Sequence, residues 1–206
     1  MKFYYVKLLK RLLKNKNLKE AERLLRLIEI LNTLPYIRSL LYSKEYRGFR
    51  YEQSLSYNIE NFYMRIYVFR ETFYLFLNAI FKLGVDEGDT KFRSNITDII
   101  KSNKKLTFLS GALDKLKKDN IIKECLKNWR AIEHQAVKGC DYTGQIAIVE
   151  NLSHKKLSEL EKNKIIINIL KKVDNDIEKI YTFLTNFLER YCKDIFLMME
   201  SKENEK

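Results

Sequence analysis

The sequence contains very little proline and glycine. One proline, Pro35, and six glycines occur in 206 residues, so few positions are suited to the tight turns of a hairpin-rich β fold. Leucine, isoleucine, lysine, glutamate and asparagine fill long uninterrupted stretches instead, which favours helices. The length is enough for one domain with a substantial core. We therefore predict a single all-α domain over residues 1–206.

Cysteine and histidine are also scarce. Cys125, Cys140 and Cys192 lie far apart without a CxxC pair, and two histidines are too few for the usual zinc spacings. GxSxG, GxxxxGK[ST], GxGxxG and HExxH motifs and a carboxylate-rich calcium loop are missing as well. We expect no metal and no cofactor. A small, odd number of cysteines without a secretory signal favours a reducing, cytoplasmic compartment.

No apolar run is long enough to cross a bilayer. The most apolar segment, residues 73–84, has about a dozen residues and is interrupted by Asn78, whereas a span needs about 20. We expect a soluble protein without a membrane span.

Negative charge is in deficit. Lysine and arginine outnumber aspartate and glutamate by 39 to 27, for a net charge of +12, which favours nucleic acid or an acidic membrane surface as partner. The alternative is a solvated basic surface without such a partner. Residues 1–16 have the pattern of a basic amphipathic helix, either an ordinary first helix or a membrane-surface segment.

Two long helices dominate the hydrophobic pattern. Apolar residues recur at steps of three and four over residues 51–83 and again over 165–199, and each series predicts a buried seam. These helices predict an up-and-down bundle. The first seam comprises Ile59, Phe62, Ile66, Phe69, Phe73, Phe76 and Ile80, and the second Val173, Ile177, Ile180, Leu184, Phe187, Tyr191 and Ile195.

Shorter elements complete the prediction. Helices are expected over residues 18–32, 96–102, 106–118 and 121–137, with Pro35 breaking or redirecting the chain after the first of them. Gly84 is the expected stop of the first long helix. Residues 140–152 form either a short β segment or an ordered loop, and residues 201–206 a frayed tail.

Arg130 and His134 are the best candidates for chemistry. Four residues apart on a helix, they project from one face and could contact the same anionic group. The guanidinium could hold a phosphate while a neutral imidazole takes a proton from a nearby hydroxyl. In RNA that hydroxyl would be the ribose 2′-OH, which attacks the adjacent phosphate without a metal. The structural alternative is a surface histidine beside a solvated arginine.

The stretch YNIENFYMRIYVFRETFYLFLNAIFKLGV (57–85), followed about fifty residues later by a helix ending in Arg130 and His134, resembles bacterial members of the HEPN superfamily (higher eukaryotes and prokaryotes nucleotide-binding). The resemblance covers roughly residues 51–139. It implies an all-helical, commonly homodimeric protein and a metal-independent ribonuclease of toxin–antitoxin or phage-defence systems. It also implies RNA as substrate, an antitoxin or defence protein as partner, and an active site where two Arg/His motifs meet across the dimer.

The motif departs from the family pattern in spacing. Three residues separate Arg130 from His134, where the family has four to six, and Ala131 stands where a polar residue is usual. Either the motif is a variant in which Asn128 supplies the polar group, or catalysis has been lost. The second alternative predicts a catalytically inactive module for helical dimerisation, protein interaction or RNA binding.

Asn61, Arg65 and Thr72 form a polar lane along the first long helix. Burying the Arg65 charge without a partner would be costly, so Arg65 and Asn61 are candidate substrate-binding residues. The structural alternative is an arginine paired with Glu60 or Glu71.

Overall fold

The computed structural model describes residues 3–42, 49–133 and 156–204. Within these ranges the chain forms helices and no strand, so the predicted all-α helical bundle is confirmed. The helices are α1 (Tyr4–Lys14), α2 (Leu18–Leu41), α3 (Phe49–Ile80), α4 (Phe92–Ser102), α5 (Thr107–Lys118), α6 (Asn120–Glu133) and α7 (Glu159–Asn204), with a 3₁₀ turn (Lys104–Leu106) before α5. The predicted segment 140–152 and the end of the predicted helix 121–137 lie outside the described residues.

The chain divides into two compact units. The first unit comprises Met1–Leu31, Val68–Asp119 and Thr182–Lys206, and the second comprises Asn32–Tyr67 and Asn120–Tyr181. Helices α2, α3 and α7 contribute residues to both units. The single-domain assignment stays a prediction.

Both predicted seams are buried. Every member is at most 5% exposed except Ile80, which is half-buried. In the first unit, the Phe73 and Phe187 rings meet edge to face with centroids 4.9 Å apart, and the Phe187 and Tyr191 centroids are 4.7 Å apart. Aromatic pairs of this geometry add to the stabilisation gained by burial alone. The end of α3 and the end of α7 therefore share one aromatic core.

Helix α1 belongs to the core of the first unit. Leu8 and Leu12 are fully buried, although Leu13, from the same predicted side, is half exposed. The carboxylate of Glu189 accepts hydrogen bonds from the backbone N–H of Tyr4 at 2.8 and 2.7 Å. A negative charge at a helix N-terminus is favourable because it meets unpaired N–H groups and the positive end of the dipole. This packing favours an ordinary first helix over a membrane-surface segment.

Helix α2 corrects the expectation for Pro35. The sequence predicts that Pro35 breaks or redirects the chain, but α2 continues through Pro35 to Leu41. Leu34, Ile37 and Leu41 are at most 1% exposed. Burying three such side chains contributes several kcal/mol, which exceeds the ~3 kcal/mol that an internal proline costs a helix. Tertiary packing therefore overrides the local signal.

Helix α7 is longer than predicted at both ends. It begins at Glu159 because Ser158 and Glu161 form a capping box: the Ser158 N–H donates to the Glu161 carboxylate at 2.8 Å, and the Glu161 N–H donates to the Ser158 hydroxyl at 3.4 Å. Residues 201–204 of the predicted tail are helical, and the fraying of this end stays a prediction. Residues 205–206 lie outside the described residues. Helix α4 likewise begins at Phe92 rather than at 96.

Candidate functional site

The second unit contains all the described residues that were predicted to form the site. Helix α6 carries Asn128 and Arg130, and α3 carries Asn61 and Arg65. Burial of Ile122, Cys125 and Leu126 fixes which face of α6 points inward. The site residues on that helix therefore have defined orientations.

Arg130 lies on the outer surface, in the last turn of α6, and its side chain is exposed. A cation is favourable at this end of a helix because it faces the negative end of the dipole. Asn128, two residues earlier, is half-buried. His134 follows Glu133 directly and lies outside the described residues. The structure therefore gives the guanidinium half of the predicted pair, in a position open to a ligand.

Arg65 is held by Asn61. The Arg65 Nε donates a hydrogen bond to the Asn61 Oδ1 at 3.2 Å, across one turn of α3, and both side chains are half-buried. Glu71, one of the two predicted carboxylate partners, is instead bound by Arg70 at 2.9 Å and Arg93 at 2.8 Å. An amide leaves the charge of the guanidinium uncompensated, which suits it to an anion. Thr72, the third member of the predicted lane, is buried.

The two helices that carry these residues meet through aromatic rings. The centroids of Tyr67 on α3 and Trp129 on α6 are 6.0 Å apart. The structure thus brings Asn61 and Arg65 together, and it places α3 against α6 beside Asn128 and Arg130. Among the described contacts, none links the Asn61–Arg65 pair directly to Asn128 or Arg130.

Trp129 has a feature that the sequence did not reveal. Its Nε1 is shielded from water and has no hydrogen-bond acceptor among the residues that the structure describes. A buried indole N–H usually finds a partner. The sequence offered one indication of this unpaired donor: a tryptophan lies between the candidate residues Asn128 and Arg130.

The second unit also holds an ionic cluster where α6 meets α7. The Lys172 Nζ lies 3.1 Å from the Glu124 carboxylate, and this hydrogen bond raises the pKa of Lys172. Partial burial raises the pKa of Asp176, which Lys172 lowers in part and Glu124 raises further. The cluster joins α6 to α7. It contains neither Arg130 nor His134.

No group of three or more histidine, cysteine, aspartate or glutamate side chains is arranged to hold a metal ion in ranges 3–42, 49–133 and 156–204. The two cysteines within those ranges, Cys125 and Cys192, are buried. Burial raises the pKa of Cys192 well above its ordinary value, so the thiolate form is disfavoured.

None of the described helices combines the length and the apolar character that a membrane crossing requires. The fold and the site so far define an all-α protein with an exposed arginine beside an aromatic helix contact. No family model, curated protein or solved structure matches the chain.

Proposed function

We propose that the protein is a HEPN-like, metal-independent endoribonuclease in which Arg130 and His134 cleave RNA. The observation that carries the proposal is the exposed guanidinium of Arg130 in the last turn of α6. His134 follows four residues later in the chain. The all-α fold and the net charge of +12 agree with it. Cytoplasmic action in a toxin–antitoxin or phage-defence system, with an antitoxin or defence protein as partner, belongs to the same proposal.

In the proposed reaction, Arg130 binds the scissile phosphate and neutralises charge that develops on its oxygens. The neutral imidazole of His134 takes the proton of the ribose 2′-OH. The 2′-oxygen forms a bond to phosphorus while the bond from phosphorus to the 5′-oxygen breaks, and the 5′-oxygen receives a proton from an imidazolium or from water. The products are a 2′,3′-cyclic phosphate and a 5′-hydroxyl.

The resemblance to HEPN proteins places two such motifs in one site, so in this proposal two copies of the chain each contribute Arg130 and His134. Asn128 and the Asn61–Arg65 pair are proposed to position the RNA. The guanidinium of Arg65 supports this role because the neutral amide of Asn61 does not cancel its charge.

The test is cleavage of single-stranded RNA by the full-length protein in EDTA. Wild type should release 2′,3′-cyclic phosphate ends, and Arg130→Ala and His134→Ala should each lower the rate by at least about 100-fold. Lys127→Ala is the matched control, because Lys127 is an exposed cation on the same helix, and it should retain the wild-type rate. Equal cleavage by wild type and His134→Ala would overturn the catalytic assignment.

The second candidate function is a catalytically inactive module that dimerises, docks a protein or binds RNA. The three-residue spacing between Arg130 and His134 and the presence of Ala131 favour it. It predicts no cleavage under any condition and a mass in solution that is unchanged when both Arg130 and His134 are replaced.

A further inference from the structure

A dense cluster of positive charge belongs to the first unit, whereas Arg130 belongs to the second. From 101 to 118 the chain contains six lysines and one acidic residue, Asp114. The six are Lys101, Lys104, Lys105, Lys115, Lys117 and Lys118, and all are exposed. They are called the lysine surface below.

The fold turns these lysines outward. The inner face of α5 is formed by Leu109, Ala112, Leu113 and Leu116, each at most 1% exposed. Lys115, Lys117 and Lys118, the lysines of α5, therefore lie on its solvent side. The helix cannot rotate to bury them without exposing this core.

The segment between α4 and α5 is also held in place. Asn103 caps the 3₁₀ turn, because its Oδ1 accepts a hydrogen bond from the Lys105 backbone N–H at 3.0 Å. The Thr107 hydroxyl donates to the Lys104 carbonyl at 3.1 Å. Lys104 and Lys105 therefore project from ordered backbone, which lowers the entropy lost when a ligand is bound.

Asp114 joins the two helices of the lysine surface. Its carboxylate lies 3.1 Å from Lys118 and 3.9 Å from Lys101. The hydrogen bond from Lys118, aided by the charges of Lys118, Lys101 and Lys117, lowers the pKa of Asp114. One carboxylate is shared among several cations, so the surface keeps a net positive charge.

We propose that the lysine surface binds the phosphate backbone of RNA, separately from the Arg130/His134 site. A row of lysines on a fixed scaffold suits a polyanion, because each cation that pairs with a phosphate releases condensed counterions. Lysine also binds phosphate as a point charge without reading sequence. The inference rests on RNA being the partner under the proposed function, but it does not require cleavage.

A membrane surface fits these residues less well. The exposed large apolar side chains in the described part of the chain include none between residues 92 and 118. Surface-bound helices insert apolar side chains into the headgroup region in addition to their cations. The lysine surface has the charge but lacks that apolar part.

The experiment measures binding of a single-stranded RNA of mixed sequence to full-length His134→Ala protein over a range of salt concentrations. The test variant adds Lys104→Ala, Lys105→Ala and Lys117→Ala, none of which takes part in the two Asp114 ion pairs. The slope of log K against log salt should fall by about 2, which is about 0.7 for each lysine, and affinity should drop roughly tenfold or more in moderate salt.

The matched control adds Lys164→Ala, Lys171→Ala and Lys179→Ala, which remove the same charge from exposed lysines of α7, a helix that also carries acidic residues. It should bind RNA nearly as well as the parent. Asp114→Asn should strengthen binding severalfold, because it removes the one carboxylate from the surface. Equal losses in the test and control variants, or weaker binding by Asp114→Asn, would overturn the proposal.

The outcome is separable from that of the proposed ribonuclease activity. RNA binding that depends on the lysine surface without any cleavage by the wild type would support the surface and overturn the catalytic assignment. Cleavage by the wild type with unchanged RNA binding in the triple variant would support the catalytic assignment and overturn the lysine surface as an RNA-binding site. Binding to vesicles of phosphatidylserine and phosphatidylcholine is measured for the same proteins. If the triple variant lost vesicle binding but kept RNA binding, the choice of RNA as ligand would be contradicted.

Discussion

At the scale of single residues, the unusual backbone positions occur where helices end. Lys16 and Lys82 have φ values of 57° and 50°, and Gly84 has a φ of 72°. After α3, the Leu83 N–H donates to the Asn78 carbonyl at 3.0 Å and the Lys82 N–H to the Ala79 carbonyl at 3.1 Å. This is a Schellman motif with Lys82 at the left-handed position. The predicted stop, Gly84, lies two residues beyond it.

Two glycines should respond to alanine in opposite directions. Gly84→Ala should lower the free energy of unfolding by about 1 kcal/mol, because the left-handed backbone disfavours a Cβ. Gly111→Ala, inside α5, should raise it by about 0.5–1 kcal/mol through helix propensity. An added Cβ meets no atom within 4 Å at either site, so steric clashes do not contribute. Urea unfolding measures both, and a gain at Gly84 would contradict the backbone argument.

Asn78 shows what a single residue can and cannot reveal from sequence. Asn78 interrupts the most apolar segment of the sequence, and the structure explains why a polar side chain is present there. Its Nδ2 donates to the Val85 carbonyl at 2.8 Å, and its Oδ1 accepts from the Val85 N–H at 3.1 Å. The side chain thus satisfies a buried amide and fastens the turn after α3. The partner could not be predicted, because Val85 carries no signal of its own.

At the scale of elements, α2 shows how an internal proline reduces the stability of a helix. Pro35 lies inside the helix and is exposed. It provides no backbone N–H for the carbonyl one turn earlier, and its ring crowds that turn.

Pro35→Ala should raise the free energy of unfolding by about 1–3 kcal/mol, partly offset by the greater freedom of the unfolded chain. Asn32→Ala is the control, since Asn32 is also exposed on α2 and should gain less than about 0.7 kcal/mol by propensity alone. Thermal and urea unfolding give both values. A gain at Pro35 no larger than at Asn32 would mean that the helix tolerates the proline without strain.

The N-termini of α1 and α7 differ in how far the local sequence specifies them. The capping box of α7 is local, and Ser158 followed three residues later by Glu161 is a recognised start signal. The N-terminus of α1 depends instead on Glu189, 185 residues away from Tyr4. Only the folded chain brings that carboxylate to the helix.

At the scale of the whole molecule, the pH dependence of stability comes from groups whose pKa differs between the folded and unfolded states. Partial burial is the main cause of the raised pKa of Asp176. The folded state then binds a proton more tightly than the unfolded state. The ionised carboxylate therefore reduces stability at neutral pH, and the penalty disappears as the pH falls to the ordinary value of 3.8.

Asp176→Asn should therefore raise the free energy of unfolding at pH 7, by less than about 1 kcal/mol because solvent screens a part-buried side chain. The gain should shrink as the pH is lowered towards 4. Asp174→Asn is the control on the same helix: it removes the carboxylate that binds Arg38 at 2.6 and 3.0 Å, so stability should fall. Urea titrations from pH 4 to pH 8 measure both. Destabilisation by Asp176→Asn at pH 7 would contradict the desolvation argument.

The periodic pattern of the sequence was sufficient to predict the all-α fold and both seams, because helical spacing of large apolar side chains determines which face is buried. The sequence also identified Arg130, through its helical spacing to His134, and Arg65 with Asn61, since a cation in apolar surroundings needs a partner. Sequence could not determine that Asn61 holds Arg65, that Trp129 contacts Tyr67, or that α2 continues through Pro35. The Trp129–Tyr67 contact and the burial of α2 beyond Pro35 depend on residues far apart in the chain. The Asn61–Arg65 hydrogen bond is local, but which rotamers form it depends on the packing around α3, and only the tertiary structure decides that packing.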